Sequence, residues 1–162
     1  MTGRGAQVEL ACEEGTTVAE EYRVQRVLVG RLNRGDDILT ALGALARRHG
    51  IVTGWVQLLG AVERARLAFY DQERKVYRDL VIDRPCEILA GTGNISRLEE
   101  QEEPFVHLHL TLGDEEGRAL GGHVLEGTRV FACEYAIWHL DGPALVRRPD
   151  AATGLKLWPA SS

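Results

Sequence analysis

VHLHLTLGDEEGRALGGHVLEG, Val106 to Gly127, reads as two alternating strands around a polar turn. Successive side chains on a strand point to opposite faces of a sheet. Val106, Leu108, Leu110 and Leu112 share one face, the better core face, while His107, His109 and Thr111 share the other. With the GDEEG turn centred on Glu115, His107 faces His123 and His109 faces Gly121. Leu110 then meets Leu120 and Val106 meets Val124 on the apolar side. Directly opposed residues lie ~5 Å apart at Cβ. The apolar pattern and the histidines thus support one register, which a slip of a single residue would break. Three imidazoles on one face, with Gly121 and Gly122 leaving space beside them, form the ligand set of an open zinc site. The competing reading is three histidines that hydrogen-bond across a sheet or a subunit contact.

Working outward, YRVQRVLVGRL alternates and predicts a first strand. The period then changes. In NRGDDILTALGALARRHG, Ile38, Leu42 and Leu45 form a helical stripe widened by Leu39 and Ala46. Asp36 or Asp37 is the candidate N-cap, and Gly50 ends the helix after a basic last turn, which places it at about 36–49. TGWVQLLGAV predicts a strand, RARLAFYD and KVYRDLVI a hairpin around QER, and PCEILAGTGNIS a strand that ends in a Gly-rich bend. TRVFACEYAIWHL is a further strand, and GLKLW a short last one. One helix among many strands without βαβ alternation predicts an α+β fold with a mainly antiparallel sheet. The 162 residues suit one domain, residues 21–158, preceded by an arm over 1–20 and followed by a tail over 159–162.

Composition narrows the function classes. A net charge of −5 and a pI near 5.6 leave no general electrostatic footprint for a phosphate backbone, which disfavours direct DNA binding. Cys12, Cys86 and Cys133 are odd in number, widely spaced and form no CxxC pair. Reduced thiols in a cytoplasmic protein are expected, not a disulfide frame or a thiolate zinc site. Residues 1–20 contain no apolar signal core, and no apolar run approaches a membrane span, so no membrane contact is expected.

EILAGTGNIS, HLHLTLGDEEGRALGGHVLEG and CEYAIWHL, in this order, closely resemble the plants-and-prokaryotes conserved domain. GRLNRGDDILTALGALARRHGI and GWVQLLGAVERARLAFYD resemble its first half, so the likeness runs from about Tyr22 to about Leu157. The resemblance implies one main helix on antiparallel sheets and assembly as a homotrimer. It also implies the family's usual label, a DNA-binding regulator. In plant members a separate AT-hook with an R-G-R-P core touches DNA, and the domain itself serves assembly and partner binding. This chain has no such core: TGRGAQ lacks the proline and VRRPDA lacks the glycine between its arginines. Some free-standing bacterial members carry a metal at the three histidines.

Other residues are candidates around that centre. RPCEIL resembles the plant segment G-R-F-E-I-L, which carries over Arg84, Glu87 and Ile88 but departs at Pro85 and Cys86. Glu87 is a candidate ligand, an orienting carboxylate, a general base, or half of an ion pair. Asn94 is expected in a turn whose glycines, Gly91 and Gly93, admit positive φ, where it would cap backbone groups near the histidines. Glu134, on an otherwise apolar strand, would need a partner if buried. EEQEEP reads as a solvated acidic loop.

The resulting expectation is a trimeric protein with Zn²⁺, or another divalent ion that imidazole suits, on His107, His109 and His123. An open coordination position would accept a small anionic ligand. The alternatives are hydrolysis by a metal-activated water, a DNA-binding regulator, and an assembly module without metal.

Overall fold

The computed structural model describes residues 19–159. Its elements are β1 (Arg23–Leu32), α1 (Ile38–Arg48), β2 (Gly54–Asp71), β3 (Val76–Ile82), β4 (Cys86–Leu98), β5 (Gln101–Gly113), β6 (Ala119–Val124), β7 (Arg129–Asp141), β8 (Val146–Pro149) and β9 (Lys156–Leu157). The α+β expectation holds: mostly β-sheet with one short helix. The arm over 1–20 lies almost wholly outside the described residues, as does Cys12.

The helix begins and ends as its sequence requires. Asp37 is the N-cap, and its carboxylate accepts from Thr40 N (3.1 Å) and from Gly127 N (2.6 Å), which also ties the helix start to the turn before β7. Such a cap contributes ~1 kcal/mol. At the other end Gly50 adopts φ +62°, Gly50 N donates to Arg47 O and Ile51 N donates to Ala46 O. These two bonds satisfy carbonyls the helix leaves free, as in a Schellman cap. Ile38, Leu42 and Ala46 turn one stripe into the core.

The strands pair in the order β1-β7-β2-β6-β5-β4-β8-β9, with β3 on β2 and a further β2–β4 pairing. All are antiparallel except β4–β8. Because β2 pairs β4 along its first half and β6 through Leu67 and Ala68 in its second, the pairings β2–β4–β5–β6 close on themselves. Leu58, Leu67, Ile95, Leu108, Leu112 and Val124 are buried in the core this circuit encloses. The histidine face of β5 is on its outside.

Three expectations need correction. TGWVQLLGAV and RARLAFYD are not separate strands but one, β2, which pairs β4 as far as Val62 and β7 as far as Arg64, then β3 from Ala65, with register shifts between Leu58 and Gly60 and between Ala61 and Arg64. Gly60, at φ +138°, lets the strand bend there. The Gly-rich bend does not exist: β4 runs straight through Asn94 to Leu98. Gly91 and Gly93 are glycines for closeness, not for positive φ. A Cβ on Gly93 would lie 2.2 Å from His107 O, and one on Gly91 2.8 Å from Leu110 Cδ2 and Leu58 Cβ. Third, the β5–β6 turn is centred on Glu116, so His109 faces His123 and Thr111 faces Gly121. The carboxylate of Asp114 sets this turn by accepting from Glu116 N, Arg118 N and Arg118 Nε, and Gly117 takes the left-handed position at φ +76°. The register is offset from expectation by two residues, which keeps every side chain on its face.

Candidate metal centre

The pairing of β5 with β6 puts His109 opposite His123, with His107 on their face two residues along β5. Ring centroids are 5.1 Å apart for His107–His109, 4.9 Å for His107–His123 and 5.3 Å for His109–His123. One nitrogen from each ring lies within 4.8 Å of the others. Nε2 of His107 and Nε2 of His109 are 3.2 Å apart. Tetrahedral ligands at ~2.05 Å from a zinc ion stand ~3.3 Å apart, so this spacing fits a shared ion. Nδ1 of His123 is buried without a hydrogen-bond partner, a cost that an unsatisfied site in a finished structure needs a reason for.

The rings are held neutral. Burial, reinforced by the Arg147 guanidinium and then by the other two imidazoles, lowers His107 to about 4. Burial, His109 and Arg147 lower His123 to about 4, and burial lowers His109. Neutral imidazole is the form that ligates a metal.

β4 and β8 build the wall beside His107. Asn94 is in register with His107 and buried, but its side chain caps no backbone group. Instead its Oδ1 accepts from Nη2 of Arg147 at 3.0 Å. Arg147, carried by β8 and only 6% exposed, also donates from Nε to Ser96 Oγ (3.1 Å) and from Nη1 to Lys156 O (3.0 Å). Its guanidinium lies 5.0 Å from the Trp158 ring centre and 5.9 Å from that of Phe105. Nη2 stands 3.0 Å from Nδ1 of His107. Arginine has no acceptor, so the direction is forced: Arg147 donates, and the His107 proton is on Nε2. That proton in turn faces His109 Nε2. On the other flank Tyr77 stacks on His123 at 5.1 Å and 29°, and Tyr70 stands beyond it at 4.9 Å.

Arg147 and Tyr77 were not legible in the sequence. VRRP reads as a charged tail, and Arg147 reaches the site through a parallel pairing with a strand 51 residues away. Tyr77 alternates with polar residues on what reads as an ordinary hairpin strand.

The other candidates lie elsewhere. Glu87 is exposed opposite Gly113, five residues along β4 from Thr92, the partner of His109. At ~3.3 Å per residue that is ~16 Å from the histidines. Arg84 pairs with Asp114 at 3.2 Å, at the far end of the hairpin. In the single chain Glu134 is exposed: it stands between Arg31 and Leu59 on the outer face of β7. The acids of EEQEEP are solvated, and four of them pair with Arg148, Lys156, Arg97 and Arg47. The segment is a hairpin end, however, because Gln101 to Pro104 already belong to β5.

Comparison with known proteins agrees with this fold. Residues 19–141 match the family model of the Plants and Prokaryotes Conserved (PCC) domain. A crystallised metal-containing protein from Archaeoglobus fulgidus is similar at 35% identity and TM-score 0.82, over 88% of this chain and 99% of its own. A plant- and prokaryote-conserved protein from Pyrococcus horikoshii is similar at 30% identity and TM-score 0.82, over 88% and 96%. A Bacteroides thetaiotaomicron protein whose name proposes DNA binding is similar at 28% identity and TM-score 0.75, over 86% and 96%. Two Synechococcus proteins named bifunctional protein GlmU are 32% and 31% identical over 76% and 80% of this chain. The chain spans only 18% and 20% of their length.

Proposed function

Since this chain belongs to the Plants and Prokaryotes Conserved domain family, we propose that it is a metal-binding member whose centre is His107, His109 and His123. The observation that carries the reading is the convergence of three neutral imidazoles, two of them with nitrogens 3.2 Å apart. The similar protein from Archaeoglobus fulgidus, named as metal-containing, supports it. Zinc suits a three-imidazole set that leaves a position for one more ligand atom. A bound dication would supply a Lewis-acidic point at the open side of the rings, where His109 is exposed. Among the described residues the cluster consists of three imidazoles and no carboxylate. Metal binding is the function we assign.

Self-assembly is part of the same reading. Val27 and Trp55 both pair with Trp138, so these side chains share the outer face of the sheet, as do Val29 and Gln57 through Ala136. Val29 is 78% exposed and Leu59 58%. An apolar face of this extent is a protein contact by default, and the trimer that the family resemblance implies would cover it.

The test is a zinc titration of chelator-stripped, untagged protein against a competing indicator, with light scattering for mass. Wild type should take one zinc per chain and weigh three chains. His107→Ala, His109→Ala and His123→Ala should each lose the zinc and keep the mass. Retention on duplex DNA at physiological salt with no zinc uptake would replace this reading with the DNA-binding one.

A further inference from the structure

Among the described residues, Arg147 is a buried cation without an anion. Its partners are Ser96, Lys156 O, Asn94, His107 and two aromatic rings, all neutral. None of the ion pairs among the described residues includes it. A buried charge ordinarily has a counter-charge or a bound ion. Asp79 shares the face of His123 across β2, through Ala68, but it is committed to Arg66 (2.9 Å).

The arrangement is also inverted relative to ordinary metal sites. A histidine that binds a metal through one nitrogen carries its proton on the other and donates it to an acceptor, usually a carboxylate or a carbonyl. Here the group 3.0 Å from Nδ1 of His107 is a guanidinium, which can only donate. If Nε2 binds the ion, the proton moves to Nδ1 and two donors face each other. If Nδ1 binds it, Arg147 loses that partner. Either way at least one guanidinium N–H is released beside the ion, and the fifth N–H of Arg147 has no partner already. A dication would bring the local charge to three positive units with no acidic residue in the cluster.

We propose that a small oxyanion, the carboxylate or phosphate group of a ligand, completes this site by binding Arg147 beside the metal, so that metal and anion each raise the affinity for the other. The inference rests on the metal reading above. Guanidinium is the side chain best matched to both groups, because its planar fork meets their paired oxygens. Trp158 and Phe105 lie against the guanidinium, and Tyr77 stacks on His123 beside it. The coupling is reciprocal by linkage. The family match ends at residue 141, six residues before Arg147, so Arg147 itself lies outside the matched segment while its partners His107, Asn94 and Ser96 lie within it.

The experiment measures zinc affinity at buffered free zinc, in a non-coordinating sulfonate buffer, with and without acetate and with and without inorganic phosphate. Wild type should bind zinc about fivefold or more tightly with the fitting anion. A rise with acetate alone assigns a carboxylate, and a rise with phosphate alone a phosphate. Arg147→Gln should bind zinc more tightly than wild type without anion, because a repelling charge is gone, and should lose the anion effect. Arg147→Lys, which keeps the charge, should retain part of it. Zinc binding indifferent to both anions in wild type overturns the proposal and leaves the metal reading intact. Absence of zinc binding overturns both. If the glutamine variant does not fold, the wild-type anion series and the lysine variant still decide.

Discussion

Gly93→Ala should destabilise the protein strongly although it adds one methyl group. Gly93 is in register with Leu108 at the middle of the β4–β5 ladder, and the new Cβ would sit 2.2 Å from His107 O and 3.0 Å from Leu108 Cα. A carbon and a carbonyl oxygen rest at ~3.3 Å, so the strands must separate by ~1 Å. Ladder bonds near 2.9 Å then stretch well beyond the ~3.2 Å limit of a good hydrogen bond. The crowding costs about 1–3 kcal/mol, and one or two weakened ladder bonds about 1 kcal/mol each. The sum is roughly 2–5 kcal/mol, which lowers Tm by about 10 °C in a domain of this size. Gly117→Ala is the control. That Cβ meets nothing within 4 Å, and the cost there is only the φ of +76°, about 1–2 kcal/mol. Calorimetry of both variants decides. A Gly93→Ala Tm within about 2 °C of wild type, or no lower than that of Gly117→Ala, would refute the claim that glycine is there for backbone closeness.

Gly43 is buried in mid-helix with only Arg47 Nη1 near its missing Cβ, at 3.7 Å. Gly43→Ala should therefore stabilise by about 0.5–1 kcal/mol in urea unfolding, through helix propensity alone. Asp114→Ala removes the acceptor that Glu116 N, Arg118 N and the Arg118 and Arg84 guanidinia share. Hydrogen exchange should speed up in the β5–β6 hairpin and stay unchanged in α1; equal loosening of both would count against a local role. For pH the sign follows from His107 and His123, each lowered from 6.5 to about 4 in the folded state. Between these values the unfolded chain holds more protons than the folded one, so stability rises with pH. The chelated protein should be insensitive to these rings above pH 6.5 and lose stability steadily from there to pH 4. His107→Gln should flatten that decline in urea titrations, and an identical slope in the variant would contradict the assignment.

How far the sequence carried varies with the kind of contact. The helix was readable to within two residues, because Asp37, the Ile38–Leu42–Leu45 stripe and Gly50 are local signals with local causes. The face shared by the histidines was readable too, since alternation on β5 survives a register offset of two. The register itself was not. It depends on which backbone groups Asp114 gathers in the turn, Glu116 N and Arg118 N, which the residue types of GDEEG do not announce. Gly91 and Gly93 were misread as turn formers because a glycine's sequence context does not say whether it serves a positive φ or a close neighbour. Arg147 was invisible, because its role comes from a parallel pairing of β8 with β4 that no local pattern announces. The same holds for Glu134: an acid on an apolar strand is costly only if that face is covered, and in one chain it is open.

The most direct test of the three-histidine centre is anomalous diffraction from crystals of natively purified, untagged protein, recorded above and below the zinc edge. One peak per chain is expected, equidistant from the facing nitrogens of His107, His109 and His123, with Arg147 shifted from Nδ1 of His107. Crystals with no peak there, and with His107 Nε2 still hydrogen-bonded to His109 Nε2 after zinc has been supplied in excess, would contradict it and make the histidines a hydrogen-bonded cluster.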